Sequence, residues 1–143
     1  MLGTTFICCG KIVPEVLWLA VPIGSITVAI LHANNTRDIE TDQRAGIRTF
    51  PILATRSEAI RIYVCELIIP YAWLLFMTLL HLVSPWTLLT IITLPLALKN
   101  CKQMLACKTE GIKAIARLDE ATAKLQLAFS LMLALGLTLK ALT

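Results

Sequence analysis

The chain has 143 residues, of which 57% are hydrophobic and 15% are charged, and its mean hydropathy is +0.78. A soluble domain carries about 25% charged residues and roughly 45–50% apolar residues. So few charges cannot cover a water-facing surface, which excludes an ordinary soluble domain and favours lipid as the solvent. The net charge of +4 indicates a basic rim on a membrane protein and requires no nucleic-acid partner.

Four apolar blocks predict membrane-spanning helices, at residues 14–33, 60–82, 85–99 and 124–142. A spanning helix needs ~20 apolar residues. The first two blocks reach that length, and the last two reach it if Lys99 and Lys124 extend towards the headgroups. Residues 1–10 are too short to span and predict a partial helix. The expected fold is therefore all-α and integral to the membrane, with about four spanning helices and a partial one before them.

The distribution of charge orients these helices. Eleven of the thirteen Lys and Arg residues lie between residues 37 and 61 or between residues 99 and 124, and residues 83–85 carry none. If every block spans, the loops at residues 34–59 and 100–123 share one face of the membrane. Positive residues in short loops mark the cytoplasmic face. The sequence therefore predicts a multi-pass protein with both basic loops in the cytoplasm.

The polar run after the first block is the strongest candidate for a site. Asn35, Asp38 and Asp42 are spaced i, i+3 and i+7, so on a continuing helix they share one face. Carboxylate and amide oxygens suit Mg²⁺, which takes one or two protein carboxylates, waters and substrate phosphates. Candidate diphosphate ligands are the nearby arginines, Arg37, Arg44 and Arg48. From the spacing alone, a solvated loop with surface ion pairs explains these residues as well as a Mg²⁺ and diphosphate site does.

Two further polar residues lie at or inside apolar blocks. His32 is one residue inside the predicted membrane edge, where we favour a hydrogen-bonded helix-end histidine over a role in placing a substrate. Glu66 lies inside the second block, where a carboxylate is costly and is a functional hypothesis by default. Lining of a substrate cavity and bonding between helices are both open for Glu66, with Arg61 or Tyr63 as candidate partners.

Residues 31–49, L-H-A-N-N-T-R-D-I-E-T-D-Q-R-A-G-I-R-T, resemble the second aspartate-rich motif of the UbiA superfamily of prenyltransferases. The Asn34–Asn35 pair and the A-G-x-R-T tail are typical of its menaquinone branch, the 1,4-dihydroxy-2-naphthoate polyprenyltransferases and their animal vitamin K relatives. Further matches lie at residues 94–98 and 118–127. The resemblance covers nearly the whole chain in order.

The resemblance implies the C-terminal half of a bundle of nine membrane helices, in a bacterial inner membrane. It implies Mg²⁺ dependence, a polyprenyl diphosphate donor and a dihydroxynaphthoate acceptor, with the aspartate motif on the cytoplasmic side. The family's roles carry over to Asn35, Asp38 and Asp42 as the catalytic and metal-binding set. Arg44 and Arg48 are the implied diphosphate contacts.

One motif of the family has no counterpart here. The family carries an earlier N-D-x-x-D-x-x-x-D motif that binds Mg²⁺ and diphosphate, and this sequence has none. We therefore expect a prenyltransferase fragment that is inactive alone, with the missing N-terminal half and the bilayer as its partners. A non-enzymatic membrane scaffold or regulator, and another UbiA-type reaction such as prenylation of 4-hydroxybenzoate or haem, are the alternatives. A transporter would need more ionisable residues near the middle of the membrane.

Overall fold

The computed structural model describes residues 2–142, and every regular element among them is a helix. Two of the helices are 3₁₀ helices and are labelled η1 and η2. In chain order the elements are α1 (Leu2–Cys9), α2 (Glu15–Arg37), α3 (Ile39–Arg44), α4 (Phe50–Leu53), α5 (Arg56–Leu79), η1 (Pro85–Thr93), α6 (Leu94–Glu110), η2 (Gly111–Ile115) and α7 (Leu118–Leu142).

Three helices, α2, α5 and α7, are long and apolar enough to cross a membrane. They coincide with the apolar blocks at residues 14–33, 60–82 and 124–142, and the expectation of an all-α membrane fold is confirmed. The short helix α1 occupies the place of the predicted partial helix. Large apolar side chains remain exposed on the outer faces of the helices, among them Leu31, Leu79 and Leu127. In water such surfaces would be costly, whereas lipid solvates them.

The structure differs from the prediction at residues 85–99, which do not form a single α-helix. The 3₁₀ helix η1 takes the first nine residues of this block, and α6 then runs for 17 residues to Glu110. Thr87, Thr90 and Thr93 recur at the three-residue period of a 3₁₀ helix, so they line one buried face. Pro95 has no N–H group and lies in the first turn of α6, where none is needed. Most of the predicted loop at residues 100–123 is consequently helical.

The helices pack around one core, in which α2 contacts α5 and α7 while η1 lies against α7 and α5. Hydrogen bonds between buried hydroxyl groups join the helices: Tyr63 Oη lies 2.6 Å from Thr122 Oγ1, and Tyr71 Oη lies 2.8 Å from Thr93 Oγ1. Such side-chain pairs replace the hydrogen bonds that lipid cannot offer. Together they fix α5 against both α7 and η1. The C-terminal end of α2 and the N-terminal ends of α5 and α7 lie on one side of the bundle and form a platform.

The start of α5 is set by a capping box at the edge of that platform. The Glu58 backbone N–H donates to Thr55 Oγ1 at 3.2 Å, and the Thr55 backbone N–H donates to Glu58 Oε2 at 2.7 Å. These bonds satisfy backbone groups that the first turn of a helix leaves without partners. The short helix α4 therefore stays outside α5 and lies against the C-terminal half of α2.

Candidate functional site

The aspartate-rich run lies where α2 gives way to α3. Asp38 lies between the two helices, as the C-cap of α2 and the N-cap of α3. Its φ of −93° and ψ of 8° interrupt the regular helix. Backbone hydrogen bonds of the i to i−4 kind nevertheless continue through the junction, from Asp38 to Asn34 and from Asp42 to Asp38. The single continuing helix predicted from the spacing is thus two helices that meet at Asp38. Gly46, with a φ of 70°, follows Ala45, the C-cap of α3, and supplies the left-handed conformation that ends the helix.

Arg37 is the centre of a polar cluster at this junction. Its guanidinium donates to both carboxylate oxygens of Asp38, at 2.9 and 3.0 Å, and to Asp119 Oδ2 at 3.0 Å. It also donates to the Asn34 side-chain oxygen and to the Ala116 carbonyl. The cluster ties the end of α2 to the start of α7. Arg37 is therefore committed to protein carboxylates, which argues against its predicted contact with a diphosphate.

The other predicted site residues lie on α2, on α3 and shortly after α3. Asn35 and Asp42 are half-buried, on α2 and α3 respectively, while Arg44 and Arg48 are exposed. Neither of these two arginines forms an ion pair with a carboxylate within residues 2–142. Both are consequently free to meet an external anion. The roles proposed for these residues from the sequence stay predictions.

We call Arg37, Asp38, Asp42 and Asp119 the acidic mouth. No three His, Cys, Asp or Glu side chains within residues 2–142 converge closely enough to hold a metal ion. However, Asp119 Oδ1 is buried and has no hydrogen-bond partner among the described residues, and Asp38 keeps lone pairs beyond those that Arg37 uses. This donor set fits a hard cation such as Mg²⁺ that completes its shell with waters and substrate phosphates.

A pocket of about 300 Å³ lies between α2, α4 and α5, and we call it the α2–α5 pocket. Its walls are mostly apolar, and Asn35 is the residue that connects it with the aspartate-rich run. The lining residues are Val28, Leu31, His32 and Asn35 from α2, Phe50 and Pro51 from α4, and Ile62 and Glu66 from α5. A concave, mostly apolar pocket with a few polar groups is the usual form of a small-molecule site.

His32 and Glu66 are the polar pair inside this pocket. His32 Nδ1 lies 3.1 Å from Glu66 Oε1 and 3.0 Å from Oε2. The His32 side chain is 5% exposed and that of Glu66 is 14% exposed. The expectation of a hydrogen-bonded His32 is confirmed. Of the two roles left open for Glu66, bonding between helices is confirmed, since Glu66 joins α2 to α5. His32 takes the place expected for Arg61 or Tyr63. Glu66 also lines the pocket, and its role in a substrate cavity stays a prediction.

Comparison with known proteins identifies the family. Residues 1–117 match the UbiA prenyltransferase family. The chain belongs to this family. Its all-helical fold and its spanning helices agree with that membership, and the protein is integral to a membrane. No solved structure matches the chain.

Several curated relatives share the name UbiA prenyltransferase domain-containing protein 1. The chain is 37% identical to the Danio rerio protein and 35% identical to the Homo sapiens protein, in each case over 120 residues, which are 84% of this chain and 33% of the relative. It is 44% identical to the Drosophila melanogaster homolog over 78 residues, 54% of this chain and 21% of the relative. The chain thus spans about a third of the length of the curated relatives it matches.

These comparisons establish the UbiA family and are coarser than the sequence prediction. They do not single out the dihydroxynaphthoate branch, and the relatives named here are animal proteins, which lend no support to a bacterial membrane.

Two contacts of the site were not predicted from the sequence, Arg37 with Asp119 and His32 with Glu66. The partners are 82 and 34 residues apart, so spacing within one helix could not reveal them. The one available signal was a carboxylate inside an apolar block, which required a partner.

Proposed function

We propose that this UbiA chain takes part in the transfer of a polyprenyl group from a polyprenyl diphosphate to 1,4-dihydroxy-2-naphthoate. Family membership supports prenyl transfer as the reaction class. The acceptor assignment rests on the Asn34–Asn35 pair and on residues 45–49. One observation carries the proposal: Asn35 lines a mostly apolar pocket and lies three residues before Asp38 of the half-buried acidic mouth, near the end of a helix long enough to span a membrane.

The proposed roles follow from the chemistry of each side chain. Asn35, Asp38 and Asp42 would hold Mg²⁺ together with the diphosphate, and Mg²⁺ would supply charge stabilisation to the departing group. Arg44 and Arg48 would contact diphosphate oxygens, because guanidinium groups match their geometry. Arg37 would position Asp38 through its paired hydrogen bonds.

The reaction would take place between the acidic mouth, which holds the diphosphate, and the α2–α5 pocket, which holds the acceptor. The allylic C–O bond breaks and the diphosphate leaves with the electron pair at the acidic mouth. A ring carbon of the acceptor then bonds to the allylic carbon and loses its proton. Apolar walls around Val28 and Leu31 would exclude water, which otherwise competes for the carbocation. The basic loops are proposed to face the cytoplasm, so that the soluble acceptor and released diphosphate can reach this side.

The test is prenyl transfer in nanodiscs. The chain would be reconstituted with Mg²⁺, geranylgeranyl diphosphate and 1,4-dihydroxy-2-naphthoate, alone and with the part of the Danio rerio relative that lies outside the matched region. We expect product only in the combined preparation. Asp38→Ala should then lower turnover by about 100-fold, the scale of losing one preorganised electrostatic contact. Glu40→Gln is the matched control, since Glu40 is an exposed acid two residues away and should leave turnover within about twofold.

A non-enzymatic membrane scaffold is the second candidate, favoured by the lack of an N-D-x-x-D-x-x-x-D motif in the 143 residues. Equal turnover of the Asp38→Ala and Glu40→Gln variants would contradict the role of Asp38. No product from the combined preparation, with both parts stably associated, would contradict prenyl transfer and favour the scaffold.

A further inference from the structure

We propose that His32, oriented by Glu66, accepts a hydrogen bond from a ring hydroxyl group of the ligand in the α2–α5 pocket and so selects hydroxylated aromatic rings. The identity of that ligand as the prenyl acceptor rests on the proposed function. The hydrogen-bonding argument itself rests on the geometry of the pocket and can be tested without prenyl transfer.

The carboxylate of Glu66 determines which imidazole nitrogen carries the proton. A carboxylate only accepts hydrogen bonds, so His32 Nδ1, at 3.0 and 3.1 Å from its two oxygens, is the donor. In a neutral imidazole the other nitrogen then has a free lone pair. With Glu66 ionised and the imidazole neutral, His32 Nε2 is therefore the acceptor of the ring.

His32 Nε2 has no hydrogen-bond partner among residues 2–142. The atom is buried and makes no hydrogen bond within the described residues, although His32 lines the pocket. Buried polar atoms are nearly always hydrogen-bonded, and an isolated exception calls for an explanation. A donor on a bound ligand supplies the missing hydrogen bond, and a phenolic hydroxyl group is the donor that an aromatic ligand carries in the plane of its ring.

Neighbouring rings keep the imidazole in this orientation. Phe50 packs edge-on against His32 with the ring centroids 5.7 Å apart and an interplanar angle of 87°, and Tyr63 does so at 6.4 Å and 89°. The Glu66 hydrogen bond adds a third constraint. The pocket volume of about 300 Å³ is at the lower end of the range for small-molecule sites and is adequate for a bicyclic aromatic ring. These contacts hold the His32 ring in one orientation. The ring is therefore preorganised to bind one hydroxyl group and does not change its rotamer to suit different ligands.

The experiment compares two fluorescent probes that differ only in the hydrogen-bond donor, 1-naphthol and 1-methoxynaphthalene. Their dissociation constants would be measured with the purified chain in detergent micelles, after subtraction of binding to empty micelles. The wild-type chain should bind 1-naphthol about three- to tenfold more tightly, the range expected for one net hydrogen bond. No binding of either probe, or equal binding of both, would overturn the proposal.

Three variants separate this role from a purely structural one. His32→Asn keeps an amide N–H that can donate to Glu66 but removes Nε2, so the preference for 1-naphthol should disappear. Glu66→Gln can donate to Nδ1 and thereby turn Nε2 into a donor, so the preference should vanish or reverse while the fold is retained. His81→Asn removes the other histidine, which is exposed and has a φ of 57°, and should keep the wild-type preference.

The outcomes also separate this proposal from the proposed function. A preference for 1-naphthol that survives in both His32→Asn and Glu66→Gln would overturn the role of His32. A preference lost in those two variants, together with no prenyl transfer in the combined preparation, would support the role of His32 and contradict the proposed reaction. The binding measurement contains no diphosphate, so a failure of the acidic mouth cannot affect it.

Discussion

Two helix interfaces of this chain differ in whether their buried polar atoms are hydrogen-bonded. Where η1 packs on α7, the hydroxyl groups of Thr87, Thr90 and Thr93 each donate to the carbonyl three residues earlier, at 2.7 to 2.9 Å. Where α2 packs on α5, a pocket remains open and His32 Nε2 has no partner among the described residues. Burying a polar atom without a partner costs stability. The first interface therefore serves packing, and the second retains unmet hydrogen-bonding capacity that a ligand can use.

Gly136 makes the η1–α7 interface possible. A Cβ atom at this position would lie 2.3 Å from the carbonyl oxygen of Trp86 and 3.2 Å from the Cα of Thr87. Both neighbours are backbone atoms, so they cannot move aside by a change of rotamer. The close approach of η1 depends on the missing side chain, as at other membrane-helix contacts that use small residues.

The largest effect on stability is expected from Gly136→Ala. The new methyl group forces η1 away from α7, and we expect a loss of about 2–3 kcal/mol in the free energy of unfolding. Denaturation by SDS in mixed micelles, followed by circular dichroism, measures it. Gly24→Ala on α2 is the matched control, because a Cβ there has nothing within 4 Å and alanine is the better helix former. Equal destabilisation by the two substitutions would contradict a close η1–α7 contact at Gly136.

A smaller effect is expected from Tyr71→Phe. The substitution removes the hydrogen bond between Tyr71 and Thr93 but keeps the ring and its edge-on contact with Phe129. The Thr93 hydroxyl still donates to the Thr90 carbonyl, so no buried donor is left without a partner. We expect a loss of about 0.6 kcal/mol, the average for hydrogen bonds between membrane helices, in the same denaturation assay. A loss as large as that of Gly136→Ala would contradict this order of effects.

The smallest expected effect is a difference in the rates at which the cysteines react with a thiol reagent. All five are free; Cys101 and Cys107 on α6 are buried, and the others are exposed. Burial raises the pKa of the Cys101 and Cys107 thiols, so at a given pH less of each is the reactive thiolate. N-ethylmaleimide at pH 7.5, followed by mass spectrometry, should modify Cys8 and Cys9 well before these two. Equal rates would show that this face of α6 is open.

The sequence was sufficient for features that depend on neighbouring residues. The lipid-facing sides of α2, α5 and α7 are apolar over whole turns, so block length alone located them. The aspartate-rich run was recognised because Asn35, Asp38 and Asp42 lie within three turns of each other. The 3₁₀ helix was missed although its signal was present, since three threonines at a spacing of three residues suit that helix better than the α-helix.

Contacts between residues that are far apart in the sequence could not be predicted from the sequence. Nothing in the neighbourhood of Arg37 indicates Asp119 as its partner, and nothing near His32 indicates Glu66. Each pair forms because α2 packs between α5 and α7, and that arrangement follows from the fit of whole surfaces. The acidic mouth was therefore predicted in part, through its residues on α2 and α3, whereas the α2–α5 pocket required the folded chain.

Ligands are expected to engage the α2–α3 junction and the α2–α5 pocket while the η1–α7 interface stays closed. Hydrogen–deuterium exchange tests this expectation most directly, on the combined preparation in nanodiscs with and without Mg²⁺ and geranylgeranyl thiolodiphosphate. We predict slower exchange in residues 31–49, with no change in residues 85–93 and 129–137. Unchanged exchange in residues 31–49, or protection spread equally over both regions, would contradict the account.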